Sequence, residues 1–320
     1  MPAIASHPLA SSRFGNLLRL FRRHGCDPAY LPHAAAVCLL SLARQPVMTY
    51  EAMRHRKRIN AVRLRPDPVF IIGHWRSGTT HLQNILGHDP QFASVTVREA
   101  AMPHDFLTLG KRFARTIEKA VPEKRLMDNV AVAADSPWEE ELALVASSPL
   151  AFYHVSFFPR GMERIFREAI FFDGDDPERV AHWRTDYLHF LQKVALVRPD
   201  RPFLLKNPAN TTRIRHLLRD FPGARFIHIH RDPYQVFRSA VHLYLKAQEA
   251  WGFHRPNRQA IVEHVLRSYP RFMEAMTSTK RLRERRAISK PFLRSTPFCL
   301  ISGTTSVQLR RGESFLNHYS

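Results

Sequence analysis

The sequence predicts an α/β fold of three layers, a parallel sheet with flanking helices, and three observations carry that expectation. Val69, Phe70, Ile71 and Ile72 form a short, β-branched-rich apolar run of the kind a fully buried parallel strand shows. A glycine-bounded turn follows directly, and then Leu82, Ile85 and Leu86 recur at helical spacing. Residues 203–245 repeat that order: a strand edge at Phe203–Leu205, a helix through Leu218, a buried strand at Arg225–His230 and a helix from about Tyr234. At 320 residues the chain is long enough for one sizeable domain of this class with its own core.

The turn after the first strand has the composition of an anion cradle. Gly73 and Gly78 let the backbone turn tightly, while Ser77, Thr79 and Thr80 add hydroxyls beside the exposed N–H groups of a helix N-terminus. The spacing Gly73-x-x-x-x-Gly78-Thr79-Thr80 is one residue short of the triphosphate-binding pattern GxxxxGK[ST], because threonine stands where that pattern has lysine. This departure argues against ATP or GTP hydrolysis. The cation is supplied from within the loop instead, by Arg76.

The segment His74-Trp75-Arg76-Ser77-Gly78-Thr79-Thr80 with the helix after it resembles the 5′-phosphosulfate-binding loop of sulfotransferases that use 3′-phosphoadenosine 5′-phosphosulfate (PAPS). The resemblance implies a fold related to the P-loop nucleotide kinases. A second motif agrees with it. In that family an arginine at a strand end and a serine eight residues later on the next helix grip the 3′-phosphate, and Arg231 and Ser239 match in type and spacing, with Asp232-Pro233 at the sharp turn between. Arginine suits this task because its guanidinium offers phosphate a planar fork of donors. Similarity continues in Leu126–Val130, in the segment Asp135–Leu144 with its run of three glutamates, and in Leu204-Leu205-Lys206-Asn207-Pro208, so that roughly residues 60–275 fall inside the resemblance.

What the resemblance implies for chemistry is sulfuryl transfer from PAPS to a hydroxyl or amine of a small-molecule acceptor, with no metal. Arg76, Ser77, Gly78, Thr79 and Thr80 are then expected at the 5′-phosphosulfate, Arg231 and Ser239 at the 3′-phosphate, and Lys206 beside the transferring group. For the base that takes the acceptor proton, Glu99 ranks first, since tyrosylprotein sulfotransferases carry their catalytic glutamate after the first helix. His104 ranks second and Glu140, with Asp135, third. Two alternatives stay open: a P-loop kinase or NTPase, which the missing lysine and the Arg231/Ser239 pair oppose, and a non-catalytic relative that binds the product PAP or another anion.

Net charge is +20, but its distribution matters more than its size. Residues 1–65 carry +9 and residues 277–320 carry +7, leaving +4 for residues 66–276, so the expected division is a basic helical flank, a nearly neutral sulfotransferase domain and an atypical basic tail. A nucleic-acid binder would concentrate its basic residues on the folded domain, and none is expected here. In the first flank, Phe14, Leu17, Leu18 and Phe21 share a helical face ringed by Arg13, Arg19, Arg22 and Arg23, a pattern that fits packing on the domain or peripheral contact with an anionic membrane. Residues 51–65 read as a solvated helix. The run Ala34–Ala43 is too short to cross a bilayer, and Cys26, Cys38 and Cys299 form no pair or metal spacing, so a reducing cytoplasm is the expected location. Phe152, Tyr153, Phe157 and Phe158 are read as aromatic lids over the acceptor. The tail from residue 277 shows no strand pattern of the family's type, and Arg310-Arg311-Gly312 is a faint echo of a basic loop over the 3′-phosphate.

Overall fold

The structure, a computed structural model, describes residues 7–112, 132–173, 177–286, 298–302 and 306–308. One sheet contains β1 (Val69–Ile72), β2 (Leu204–Lys206), β3 (Arg225–His230), β4 (Phe298–Ser302) and β5 (Ser306–Gln308), in the spatial order β2-β1-β3-β4-β5. The pairs β1–β2, β1–β3 and β3–β4 are parallel, and β5 runs antiparallel to β4. Helices on its faces include α1 (Phe14–His24), α2 (Leu31–Ala61), α3 (Thr79–Leu86), α4 (Val97–Ala101), α5 (Phe106–Arg112), α6 (Glu141–Ser147), α7 (His154–Phe157), α8 (Met162–Phe166), α9 (Pro177–Ala195), α10 (Ile214–Asp220), α11 (Pro233–Trp251) and α12 (Arg258–Arg286).

The three layers follow from the alternation within β1. All four of its residues are buried, but Phe70 and Ile72 face the larger core, which also holds Trp75, Phe152 and Phe226, while Val69 and Ile71 face a smaller one with Leu204, Ile229, Leu82 and Leu86. Because β2 lies on one side of β1 and β3 on the other, the strand order reverses at β1. The chain leaving β1 therefore enters the crevice where open α/β sheets bind ligands. Register completes the placement: Ile71 pairs with Lys206 and Ile72 with His228, so Lys206 sits level with the mouth of the loop that follows β1.

Several local expectations shift. β2 lies one residue later than predicted, and the helix expected through Leu218 is split into a 3-10 turn at Pro208–Thr211 and α10. Asn207 starts the 3-10 turn, its side chain accepting the Ala209 N–H at 2.9 Å ahead of a proline with no N–H to give. The basic tail supplies a strand after all: Phe298–Ser302 pairs along its whole length with β3, from Phe226↔Phe298 to His230↔Ser302. That apolar run is short and set among Ser, Thr and Arg, so it shows as a strand only beside its partner. Leu126–Val130 and Arg310-Arg311-Gly312 lie outside the described residues.

The basic N-terminal segment shares the main core. Leu9, Leu17, Leu20, Ala34 and Val37 are buried with Phe70 and Ile72, and Phe21 packs edge-on against Phe158 and Phe253. Leu17, Leu20 and half-buried Phe21 of α1 are thus turned into the protein, while Leu18 stays exposed. Nor is the stretch after residue 51 solvated throughout: Glu51 is fully buried in an ion pair with Lys193 of α9 at 2.6 Å, and Arg44 forms a two-pronged pair with Asp105. Phe157 and Phe158, expected over an acceptor, are core residues.

Beneath the sheet's C-terminal edge, two consecutive glutamates are fully buried in opposite ways. Glu141 pairs with Arg213 at 2.8 Å, both completely enclosed, and also accepts the Phe152 N–H and the Asn207 amide at 2.7 Å each. Burial pushes its carboxyl up, but the guanidinium and these donors outweigh it and hold it below the usual range. Arg213 itself donates to the Ala169 carbonyl and lies over the rings of Trp183 and Phe172. Glu140 accepts from Asn210 at 2.8 Å and from the Tyr187 hydroxyl at 3.3 Å through one oxygen, the other having no hydrogen-bond partner among the described residues. Burial and the adjoining glutamates push its carboxyl up from 4.5 to about 7.

Arg213→Met is expected to destabilise the fold by about 3–5 kcal/mol, the cost of stranding a buried carboxylate, and urea unfolding at pH 7 measures it. For Glu140 the folded state holds its proton to higher pH than the unfolded chain does. Stability present below about pH 4.5 is therefore lost as pH rises toward about 7. The loss is on the order of 3 kcal/mol. Glu140→Gln should flatten that decline in urea midpoints between pH 4.5 and 8, and an unchanged slope would show that the decline arises elsewhere.

Candidate active site

The loop after β1 is shaped by three residues in the left-handed region. Gly73 has φ 142°, and a Cβ there would lie 2.3 Å from the Ile229 carbonyl oxygen of β3, so only glycine lets the two strands close at this point. Its N–H donates to Thr211 Oγ1 at 2.9 Å, which ties the loop to the turn after β2. Gly78, φ 100°, occupies the N-cap of α3 with open space where a side chain would point. Between them Arg76 holds φ 71°, an uncommon conformation for a residue with a Cβ and one that concentrates at functional sites. The loop thus delivers its own amides and the first turn of α3, with Thr79 and Thr80, to one concave place. Its floor is aromatic: Trp75 stacks on Phe152 at 4.1 Å and packs on Phe272 of α12.

The second motif meets the first here. Arg76 Nε donates to Ser239 Oγ at 2.8 Å, and Arg231 Nη1 donates to the Arg76 carbonyl at 3.3 Å, so residues 155 and 163 positions apart in the chain form one site. Arg231 is aimed by Gln235, whose Oε1 it contacts at 2.7 Å, and the elbow that carries both is set by Asp232, which accepts the Tyr234 and Gln235 N–H groups at 3.0 Å.

Lys206 extends from the end of β2 to the same place. It is 1% exposed, and its Nζ donates to Thr80 Oγ1 at 3.3 Å and forms an ion pair with Glu139. Glu139 accepts in addition from the Tyr153 hydroxyl. Backbone pairing places this carboxylate: Thr96 and Pro137 form an antiparallel bridge, Trp138 N–H donates to the Val95 carbonyl at 2.7 Å, and Gln83 of α3 donates to the Trp138 carbonyl at 3.0 Å. The site therefore holds three cations, Arg76, Arg231 and Lys206, with the Glu139 carboxylate paired to Lys206, a set of groups that suits a polyanionic ligand.

The candidate bases ranked from the sequence are turned to other work. Glu99 caps α4, one oxygen accepting the Thr96 N–H at 2.9 Å and the other pairing with Arg198 at 2.7 Å. His104 borders a separate cavity of about 110 Å³ with Arg13, His189 and Lys193. Burial, then the charges of Lys193 and Arg13, push its imidazole down to about 3. Glu140 is enclosed between Tyr187 and Asn210, and Asp135 pairs with Arg98 at the surface. The acid that does reach Lys206 is Glu139, which sequence reasoning passed over. The available signal was the strand-end lysine itself, which needs an acid when buried, but three adjacent glutamates left its partner undetermined.

The model of the sulfotransferase family matches residues 68–288. Omega-hydroxy-beta-dihydromenaquinone-9 sulfotransferase Stf3 of Mycobacterium bovis, and the protein of the same name in Mycobacterium tuberculosis, are each 30% identical to the chain over 236 residues, which is 74% of this chain. The chain spans about 60% of the length of these curated relatives. Among solved structures, sulfotransferase STF9 from Mycobacterium avium aligns with a TM-score of 0.56 at 19% identity, covering 92% of this chain and 79% of that one. Sulfotransferase STF1 from Mycobacterium tuberculosis H37Rv aligns at 0.57 and 18%, covering 91% and 76%. These two share the fold, a P-loop-like parallel sheet between helices, and with the match over residues 68–288 the conclusion is that this chain belongs to the sulfotransferase family.

Proposed function

We propose that the protein transfers a sulfuryl group from PAPS to the hydroxyl of an apolar small molecule. The observation that carries this reading is the meeting of Arg76, Ser239 and Arg231 beside Lys206 and Glu139, since it offers separate cations to two phosphates of one nucleotide. The loop amides, Ser77, Thr79, Thr80 and Arg76 hold the 5′-phosphosulfate, while Arg231 and Ser239 hold the 3′-phosphate. A hydroxyl acceptor is supported by the name of the relatives, which act on an omega-hydroxy compound, and the Trp75–Phe152 stack supplies apolar surface beside the loop.

In the transfer, the acceptor oxygen bonds to sulfur as the bond from sulfur to the 5′-phosphate oxygen breaks, and PAP leaves with the electron pair. Negative charge grows on that leaving oxygen. Lys206 and Arg76 stabilise it, and because both are fixed before reaction, little reorganisation is needed. The acceptor proton passes to Glu139, which Tyr153 orients. Lys206 and Glu139 pair with each other, and as negative charge grows on the leaving oxygen the hold of Lys206 on the carboxylate weakens, which makes Glu139 the stronger base toward the acceptor. Protein cations here do the work that a metal does in phosphoryl transfer.

PAP is expected to raise the melting temperature more than ATP or AMP, reflecting about 2.7 kcal/mol of stabilisation at one hundred times Kd. Arg231→Ala should weaken PAP by roughly 1.5–3 kcal/mol while leaving adenosine 5′-phosphosulfate, which lacks the 3′-phosphate, nearly unaffected by calorimetry. An equal or larger shift with ATP would point back to a kinase or NTPase.

Turnover separates the roles at the reacting centre. With labelled PAPS and a panel of alcohols, phenols and amines, Lys206→Ala and Glu139→Gln should each lower kcat by about 10²–10³ with little change in PAP affinity. Glu99→Gln should keep kcat, and a collapse of kcat in that variant with Glu139→Gln fully active would exchange their roles.

A further inference from the structure

Helix α2 presents an apolar outer face that the site and the core do not use. Its inner face holds Val37, Ser41, Met48, Glu51 and Ile59, all buried. On the opposite side Leu31, Ala35, Leu39, Leu42, Tyr50 and Met53 recur at intervals of three, four or eight residues, a single stripe within about 100° of helix circumference. All six are exposed, Leu39 to 67% and Met53 to 75%. Every residue exposed between Leu31 and Met53 is uncharged. The two charged residues within that stretch both turn toward the protein, Arg44 onto Asp105 and Glu51 onto Lys193. The stripe is about 33 Å long at the rise of an α-helix, and exposed apolar patches of such extent mark a partner.

The charges at its end identify the partner. Immediately after Met53 the helix exposes Arg54, Arg56, Lys57 and Arg58, and α2 exposes no acid anywhere along its length. A second copy of the chain would bring the same cations and no exposed acid on this helix to meet them, whereas an anionic lipid surface meets both the apolar stripe and the basic turn. No helix among the described residues is long and apolar enough to cross a membrane, and the inner face of α2 is committed to the core, so the helix can lie on a bilayer but not enter it end-on. We infer that the outer face of α2 is a membrane-docking surface that seats the protein on anionic lipid. Each cation near such a surface contributes about fivefold to partitioning, and the apolar stripe provides the part that salt does not screen.

The test uses the full chain and co-sedimentation with vesicles of phosphatidylcholine alone or with about one third phosphatidylglycerol, in 0.1 and 0.5 M NaCl. The wild type should bind the anionic vesicles and keep part of that binding at high salt. Leu39→Glu with Met53→Glu should weaken binding at least tenfold. A control with the same charge change off this helix, Leu266→Glu with Val197→Glu, both also exposed, should bind as the wild type does apart from a small uniform loss. Circular dichroism and melting temperature check that both pairs fold; should the α2 pair fail, Leu39→Gln with Met53→Gln replaces it. Equal weakening by the two pairs would reduce the effect to net charge and overturn the assignment. So would absence of vesicle binding by the wild type, or a dimer in light scattering that Leu39→Glu with Met53→Glu dissolves while vesicle binding persists.

Discussion

The Glu141–Arg213 ion pair is the constraint on which the rest of the site depends. It is fully enclosed, and no isolated charge could occupy that position, so each partner must be held by further groups. Those groups are the structure itself. Through Glu141 the pair fixes Asn207 at the end of β2 and the Phe152 N–H; through Arg213 it fixes Ala169 and the start of α10. Lys206 is adjacent to Asn207, Tyr153 to Phe152, and Glu139 lies two residues before Glu141. Three groups of the candidate active site are therefore attached to a single buried salt bridge, and its geometry sets theirs.

The site built on that support is rich in cations. Arg76, Arg231 and Lys206 converge on one place with Glu139 as the acid among them, and Arg76 accepts a left-handed backbone conformation to be there. Under the proposed function these cations face the two phosphate groups of one nucleotide. Glycine at position 73 is part of the same economy of space, because the loop must pass within contact distance of the Ile229 carbonyl to bring Arg76 near Ser239.

The N-terminal helices add a second layer of use to residues that composition alone describes as basic. The inner faces of α1 and α2 are core, held by apolar packing and by the Arg44–Asp105 and Glu51–Lys193 pairs, while the outer face of α2 is free to meet something else. Net charge does not distinguish these two faces. Periodicity within the helix does, once the buried side is known.

By itself the sequence determined the strand at Val69–Ile72, the strand at Arg225–His230, the loop between Gly73 and Gly78, and the Arg231/Ser239 elbow. These are local: apolar runs, glycines that a turn requires, and a capping aspartate all act within a few residues. Only the tertiary structure decided what long-range contact decides. Three neighbouring glutamates look alike in the chain, yet Glu139 meets Lys206, Glu140 is shut away with Tyr187 and Glu141 takes Arg213, because their surroundings come from segments some 10 to 70 residues distant. Glu99 has the right residue type for a base and is consumed by a cap and by Arg198, neither of which spacing reveals. Phe298–Ser302 is a strand because β3 offers it a row of unpaired backbone groups, and the outward face of α2 exists only relative to the core that claims its other side.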